Sequence, residues 1–327
     1  MVQDESSLTS SVELIAVAME SIPPLDNHDG GALSGQFDLT LADARPLIVS
    51  PGRGPSQQPI VIPTERDSDH YVLDGQKKVI IFNHKEFRYD LHKTRWGTDV
   101  DVESIKKTFY ALNWDVELHQ DLTVDQIREI IKKIKMSKSS FAALAIFILS
   151  HGDNGTVFAW DYPFRLEKEI LANLAGDKCP VLAGKPKLVF VQTCQGHAED
   201  PGTAVTGETM RRRRWSNESM DSASSISSTE VFRIPNYADF FILHASFFDH
   251  VSYRSPKEGT WFIQTLCRAI DSSQSDEALH DVCMTVRRNV ALEKESEDKM
   301  KQVPVLFDST LRKIFFKISS NESSIQC

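Results

Sequence analysis

Two residues of this sequence have the types and the setting that nucleophilic catalysis requires. His151 ends the apolar run FAALAIFILSH, and Cys194 lies near the end of KLVFVQTCQG. A cysteine attacks as its thiolate, and a neighbouring imidazole can take the thiol proton and later deliver it to a leaving group. A glycine follows each of them closely, and glycine lets a substrate backbone approach. On the pattern alone, packing is still the commoner role for a cysteine and a histidine at strand ends.

The elements that must position this pair alternate between strands and helices. Such alternation is typical of a sheet covered by helices on both faces, in which ligands bind where strands end. The predicted strands lie in the runs 77–83, 114–119, 141–152, which ends in a loop at Ser-His-Gly, 187–196, which ends at a polar turn, and 239–246, with a closing strand, Leu311 to Ile318. The predicted helices are 102–112, one beginning at the N-cap Thr123 and running to Ile134, and then 166–176, 260–270 and 277–293.

Two segments lack this alternation. Residues 1–67 are rich in proline, glycine and serine, which predicts a leader with at most one short helix. Residues 198–232 are rich in serine and charge, which predicts a flexible linker inside the ordered domain, 68–321.

Composition excludes several function classes. The chain of 327 residues carries 46 acidic and 37 basic side chains, a net charge of −9, so it is not expected to bind nucleic acid. No stretch reaches the roughly 18 apolar residues of a membrane span, and no secretory signal is visible. Five cysteines without a close pair argue against a disulfide framework and a zinc site. We therefore expect no metal, no cofactor and a reducing compartment, the cytoplasm or the nucleus.

The run RRRRW (211–215) has more than one interpretation. It could be a nuclear localisation signal, a nucleic-acid-binding patch or the basic recognition motif of a kinase that phosphorylates Ser216. Because acidic residues lie on both sides, we favour a solvated charge cluster.

Several motifs together resemble one protein family. QTCQG differs at one position from the nucleophile signature of the caspases, and SHG lies at the spacing of that family's histidine, His151 being 43 residues before Cys194. TRWGTDVD and SYRSPKEGTWFIQTLC resemble two further stretches of the family, and the likeness runs from about residue 70 to 318. The chain resembles the caspases, cysteine peptidases that cleave after aspartate, and its short leader resembles executioner, insect-type members. The resemblance implies a three-layer α/β sandwich with a mostly parallel six-stranded sheet.

The resemblance also assigns roles to individual residues. Cys194 would be the nucleophile, His151 the acid–base group, and the N–H groups of Gly152 and Cys194 the oxyanion hole. A pocket for the aspartate and a groove for the residues before it would be built from Arg95, Gln192, Val251, Ser252, Tyr253, Arg254, Ser255 and Trp261. Two guanidinium groups suit a short carboxylate because each offers a planar fork of donors.

Some positions depart from the family pattern. Thr193 replaces the alanine of the signature, Tyr253 a tryptophan, Val251 an aromatic and Ser255 an asparagine of some executioners. We therefore expect aspartate-directed cleavage without a DEXD preference. A catalytically weak homologue that binds and regulates other caspases is the alternative. A flavodoxin-like nucleotide-binding domain is excluded, because no glycine-rich phosphate loop follows any strand.

Caspases are made as zymogens that are cut after aspartates. The resemblance implies a cut after Asp221 between a large subunit, 68–221, and a small subunit, 222–327, with leader cuts after Asp67 or Asp69. It also implies a homodimer of large–small units joined through the strand 311–318. The implied partners are protein substrates with an aspartate at the cut, upstream caspases and inhibitor-of-apoptosis-type proteins.

Overall fold

The computed structural model describes residues 68–88, 92–139, 141–204 and 234–317, all within one compact unit, Gln58–Cys327. In chain order its larger elements begin with β1 (Gln76–Asn83), α1 (Thr98–Ala111), β2 (Asp115–Gln120), α2 (Val124–Lys135), β3 (Phe141–Leu149), β4 (Gly152–Asp153), β5 (Thr156–Phe158) and β6 (Pro163–Arg165). They continue with a π-helical turn (Glu167–Leu171), α3 (Ala172–Leu174), a 3-10 turn (Pro180–Leu182), β7 (Lys187–Gln192), β8 (Phe240–His244), β9 (Arg254–Ser255), β10 (Gly259–Thr260), α4 (Trp261–Ser272), α5 (Leu279–Glu293) and β11 (Val305–Asp308).

Six of these strands form one sheet in the order β11-β8-β7-β3-β1-β2. Neighbouring strands are parallel except that β11 runs antiparallel to β8. The predicted α/β fold with a mostly parallel six-stranded sheet is confirmed. Every residue of β3 and β7 is buried, as expected for the centre of a sheet covered on both sides.

The two faces of the sheet carry separate hydrophobic cores. One face packs α1, α4 and α5, with Phe109, Leu266 and Val286 in its core. The other packs α2 and the π-helical turn with α3, through Ile127, Ile131 and Ile170 among others. Burial on both faces fixes the strands, and with them the strand ends that carry His151 and Cys194.

Helix α2 begins as its sequence predicts. The Thr123 hydroxyl accepts from the Gln126 N–H at 3.3 Å, and the Gln126 side chain accepts from the Thr123 N–H at 2.9 Å. This reciprocal capping box satisfies two N–H groups that a helix terminus otherwise leaves unpaired. The predicted N-cap is confirmed.

The predicted closing strand is wrong. The sheet ends at β11, Val305–Asp308, and the described part of 311–318 makes only an isolated bridge between Lys313 and His70. Ile314 is fully buried in the core that α1, α4 and α5 cover, and Phe316 packs edge-on against Phe109 of α1. The alternation of LRKIFFKI therefore reflects packing onto a helical layer, which produces the same apolar spacing as a half-buried strand.

Candidate active site

The strand register places His151 and Cys194 side by side. Leu149 at the end of β3 pairs with Gln192 at the end of β7, and the Ser150 N–H continues the pairing to the Gln192 carbonyl at 3.1 Å. His151 and Cys194 each follow two residues later, on strands about 4.8 Å apart. Both are half-buried, unlike Cys179, Cys267 and Cys283, which are buried.

The His151 ring is oriented by a backbone carbonyl. Its Nε2 lies 2.9 Å from the Lys93 carbonyl oxygen. Because a carbonyl can only accept, Nε2 must carry the proton, and Nδ1 of the neutral ring keeps its lone pair. Burial, and then the charges of Arg95, His92 and Arg254, lower the pKa of His151 to about 4 against the pull of the Lys93 carbonyl. The ring is therefore a neutral base at physiological pH.

The Cys194 sulfur is held by Ser252. The Ser252 N–H donates to Sγ at 3.4 Å, and the Ser252 Oγ lies 3.7 Å from Sγ. Ser252 in turn accepts from the Gln192 Nε2 at 2.8 Å, while Gln192 is almost fully buried with no partner for its Oε1 among the described residues. Swapping the amide oxygen and nitrogen would leave an N–H free instead. Gln192 and Ser252 thus form one wall that faces the sulfur.

Gly152 is required by the packing next to Cys194. A Cβ at this position would lie 2.7 Å from the Thr193 Cβ and 2.7 Å from the Thr156 carbonyl oxygen. Thr193, buried to 4 % exposure, therefore lies against Gly152. The threonine at the signature's alanine position fills the space between the two strand ends.

Arg95 is a fully buried cation, and the three N–H donors on its Nε and Nη2 are free. Nη1 donates to the His84 carbonyl at 2.9 Å and to the Thr98 hydroxyl at 3.0 Å. Nε and Nη2 have no partner among the described residues, and together they form the side-on fork of the guanidinium. Burial, and then the Arg254 charge, lower the pKa of Arg95 to about 9. The Asp101 and Asp121 carboxylates act on this charge without bonding to the fork, and buried donors left without a partner are costly, so this pocket suits an acidic group.

Arg254 approaches from the hairpin β9–β10. Its Nε donates to the Trp96 carbonyl at 2.9 Å, and burial lowers its pKa. A charge on Cys194 would oppose the lowering at both arginines, so the sulfur lies within electrostatic reach of both. The structure brings His151, Cys194, Arg95 and Arg254 near one another, and their catalytic roles stay a prediction.

Asp101 links helix α1 to the end of the hairpin β9–β10 and to helix α4, which follows it. This buried carboxylate accepts from the Thr260 N–H and the Gln264 Nε2, both at 2.9 Å, and so fixes helix α1, which follows Arg95, to the hairpin that carries Arg254. Gly97 lies against Ser255 and Pro256 with φ 90°, a conformation that favours glycine. The close approach leaves no room for a side chain there.

The remaining predicted groove residues lie along the same hairpin. Tyr253 stacks on Trp261, with ring centroids 4.5 Å apart, and its N–H donates to the Gln302 Oε1 at 2.8 Å. The Val251 N–H donates to the Ala198 carbonyl at 3.0 Å. The Ser255 hydroxyl accepts from the backbone N–H groups of Lys257 and Glu258 within the hairpin turn, so its side chain is used locally.

The chain matches the caspase domain model over residues 76–316. It belongs to the caspase family.

Individual relatives support the same conclusion. The chain is 32 % identical to caspase-1 of Drosophila melanogaster over 265 residues, 78 % of this chain and 78 % of that protein. It is 34 % identical to caspase-3 of Mesocricetus auratus, over 72 % of this chain and 82 % of that protein. The crystal structure of caspase-1 from Spodoptera frugiperda superposes with a TM-score of 0.70 at 27 % identity, covering 80 % of this chain and 99 % of that chain. An executioner-like, insect-type caspase fits these similarities.

Sequence reasoning missed several parts of the caspase site. The Lys93 carbonyl is a backbone group, so no residue type could have marked it. Asp101 and Thr98 lie inside the quoted motif TRWGTDVD, which was the signal available, and the structure shows both to be buried. His92, which packs against His151, had no signal in the motif at all.

Some predicted features lie elsewhere. Asp221, Asp67 and the run 211–215 fall outside the described residues. Asp69 is exposed, and its carbonyl accepts from the Lys313 N–H at 2.7 Å.

Across the described ranges, no helix is long and apolar enough to cross a membrane, and no group of three or more ligating side chains could hold a metal ion.

Proposed function

We propose that this caspase is an active cysteine endopeptidase that cleaves peptide bonds after aspartate. The observation that carries the proposal is the free Nε–Nη2 fork of the fully buried Arg95, which lies within electrostatic reach of Cys194 and Arg254. A carboxylate is the group whose geometry and charge match that fork. The aspartate side chain would fill the pocket, and its carbonyl would then lie beside the Cys194 sulfur.

The strand β9 offers an edge on which a substrate can pair. The Trp261 N–H donates to the Tyr253 carbonyl, so Tyr253 faces β10. Because backbone groups alternate between the two edges of an antiparallel strand, the N–H and C=O of Arg254 face away from β10. A substrate added at that edge would place its aspartate in the arginine pocket and its neighbouring side chain on the Tyr253–Trp261 face.

The chemistry follows from the two neighbouring strand ends. His151 Nδ1 takes the thiol proton as the Cys194 sulfur attacks the carbonyl carbon, and the carbonyl oxygen becomes an oxyanion. The imidazolium then protonates the leaving amine, the C–N bond breaks and a thioester remains. Water, deprotonated by the same Nδ1, attacks the thioester, and the thiol and the new carboxyl terminus are released.

Two N–H groups are available for the oxyanion. The Phe158 N–H donates to the His151 carbonyl, so the next residue, Gly152, has its N–H on the opposite edge of that hairpin. Within the described residues, no hydrogen bond occupies the Cys194 N–H. Donors of this kind typically contribute about a hundred- to a thousandfold in rate each.

Zymogen processing and dimerisation form part of the same proposal. Cleavage after Asp221, and after Asp67 or Asp69, would separate the leader and the two subunits.

The outer edge of β11 has no neighbouring strand among the described residues, and Phe307 on β11 and Phe248 beside it are 38 % and 48 % exposed. An unpaired strand edge with exposed aromatic side chains suits pairing with a second copy. The dimer would thus form through β11. Upstream caspases and inhibitor-of-apoptosis-type proteins are the partners, and apoptosis the process, that this activity fits.

A positional tetrapeptide library tests the proposal. The purified protein should release the reporter only from peptides with aspartate before the cut, and sequencing of its own new N-termini should return Ser222. Equal release from glutamate, asparagine and aspartate peptides, or no release by protein cut after Asp221, would contradict it. The Cys194→Ala protein is the matched inactive control.

A further inference from the structure

The ring of His151 is surrounded by an aromatic clamp that the motifs do not assign, made of Phe87, His92 and Phe158. The His92 ring lies 5.2 Å from the His151 ring at 31°, and the Phe87 ring lies 5.2 Å away at 44°. His92 is itself held by Phe158 at 4.0 Å and by Phe87 at 5.4 Å. All distances join ring centroids, so the four rings form one packed group.

The clamp supplies what the hydrogen bond of His151 cannot. A histidine ring turns about a terminal torsion that is broad and has no sharp minimum. The bond from Nε2 to the Lys93 carbonyl fixes one atom of the ring, and contacts on its surface are needed to fix the plane. His92 precedes Lys93 directly, so one dipeptide provides both the carbonyl and the ring contact. The direction of Nδ1 towards Cys194 depends on both.

His92 is also a group that can change charge. It is half-buried, and burial lowers its pKa, which keeps the ring neutral at physiological pH. A neutral ring beside His151 presents a π-system to the imidazolium that forms during acylation, and such contacts are favourable. A protonated His92 would instead repel that imidazolium.

Four other charged groups near the two imidazoles can be placed among the described residues. Arg95 and Arg254 lie on the pocket side and Cys194 on the adjacent strand end. Arg88, next to Phe87, lies over the Trp160 ring. On β4, Asp153 lies 3.8 Å from His197. Within the part of the chain that the structure describes, no carboxylate is among the groups that shift the pKa of His151, so a second positive charge at residue 92 would meet little compensation there.

We propose that His92 is a positioning residue that holds the plane of the His151 ring and, through its own protonation, sets the acid limit of catalysis. This inference rests on the proposed peptidase function and adds a residue to it. His92 does not touch the substrate in this account. It acts on the reaction only through His151.

Kinetics of three full-length variants, processed like the wild type, test the proposal. His92→Ala removes the ring and should lower kcat about tenfold, a part of the hundred- to ten-thousandfold that acid–base catalysis typically supplies. KM for an aspartyl peptide should stay unchanged, because the arginine pocket is intact. His92→Phe keeps a ring and should restore most of kcat at neutral pH. His119→Phe is the matched control, because His119 lies on the edge strand β2, where it stacks on Phe82 of β1. This variant should leave kcat and KM unchanged.

The pH profile separates positioning from simple support of the fold. Because protonation of His92 sets the acid limit, His92→Phe should remove that limit and move the acid limb of kcat/KM to lower pH. A charged His92 lowers the pKa of His151, so the His151 titration itself should move to higher pH in His92→Phe. Histidine NMR of the Cys194→Ala protein should show the same upward shift of the His151 titration. A wild-type kcat in His92→Ala would overturn the proposal, as would an unshifted His151 titration in His92→Phe or equal losses in both His92 variants. A wild-type protein that cleaves no aspartyl peptide would instead refute the proposed function.

Discussion

The substitution Arg95→Lys keeps the positive charge of the pocket and removes its planar fork. In the wild type, Nη1 is already bound to the His84 carbonyl and the Thr98 hydroxyl, and Nε with Nη2 is free for a carboxylate. A lysine ammonium has three donors on one atom. Two of them would be taken by the His84 and Thr98 oxygens, so at most one would reach the substrate.

The expected loss can be worked out from these bonds. A hydrogen bond to a charged group is worth about 1.5–3 kcal/mol, so the two bonds of the fork contribute about 3–6 kcal/mol to binding of the aspartate. At about 1.4 kcal/mol per factor of ten, removing both costs about a hundred- to ten-thousandfold in kcat/KM. Arg95→Lys, which retains one donor, should fall near the lower end, and Arg95→Met near the upper end.

The assay compares a fluorogenic aspartyl peptide with the same peptide carrying asparagine. The two donors of the fork match the two acceptor oxygens of aspartate, whereas asparagine offers one acceptor and an NH2 donor, so the aspartate-to-asparagine ratio of kcat/KM should fall together with the aspartate activity. Arg128→Lys is the control, because Arg128 makes a similar two-bond contact with Glu169 on the exposed surface of α2 and should leave both activities unchanged. Wild-type kcat/KM in Arg95→Lys would refute the reasoning. Equal losses on both peptides would do the same.

Three further predictions concern the glycine beside Cys194, two buried histidines and the exposed edge of β11. Gly152→Ala should lower kcat/KM by about a hundredfold, because its Cβ would collide with Thr193 and the Thr156 carbonyl and displace an oxyanion donor. The double variant with Thr193→Ala should recover part of the loss. Full activity of Gly152→Ala alone would contradict the packing argument. Burial lowers the pKa of His84 to about 3 and of His244 to about 4, so the unfolded chain binds more protons than the folded chain below pH 6.5. The free energy of unfolding should therefore fall as pH drops from about 6.5 towards 4. Urea titrations of His84→Leu should show a shallower fall, and a fall as steep as in the wild type would be evidence against it. Phe307→Glu on the edge strand β11 should convert the dimer to large–small monomers in sedimentation experiments, whereas an unaltered sedimentation coefficient would place the interface elsewhere.

Much of the fold was readable because the central strands are apolar throughout. The runs 141–149 and 187–192 could only be buried, and each ends on a polar tip, so both the sheet and the positions of His151 and Cys194 followed. The edge of the sheet was not readable in the same way. VLFD in β11 is four residues long, and the longer alternating run after it packs on a helical layer instead.

The candidate site shows the same division. Side chains with distinctive chemistry, such as Arg95 and Arg254, could be placed by motif. The carbonyl of Lys93 and the ring contact of His92 come from a segment about sixty residues before His151, and only the folded chain brings them together. The β4–β5–β6 and β9–β10 hairpins, whose strands have two or three residues each, are too short for any periodicity to be seen.

The most direct test of the account is reaction of the processed protein with an aspartyl fluoromethyl ketone, followed by peptide mass analysis of all five cysteines. Burial raises the pKa of the Cys179 thiol, and of the Cys267 thiol to about 12, so neither competes as a nucleophile. We predict one adduct per large–small unit, on Cys194 alone, and none in the Cys194→Ala protein. An adduct on another cysteine, or labelling that persists after Cys194→Ala, would contradict the claim that this thiol attacks the substrate beside a bound aspartate.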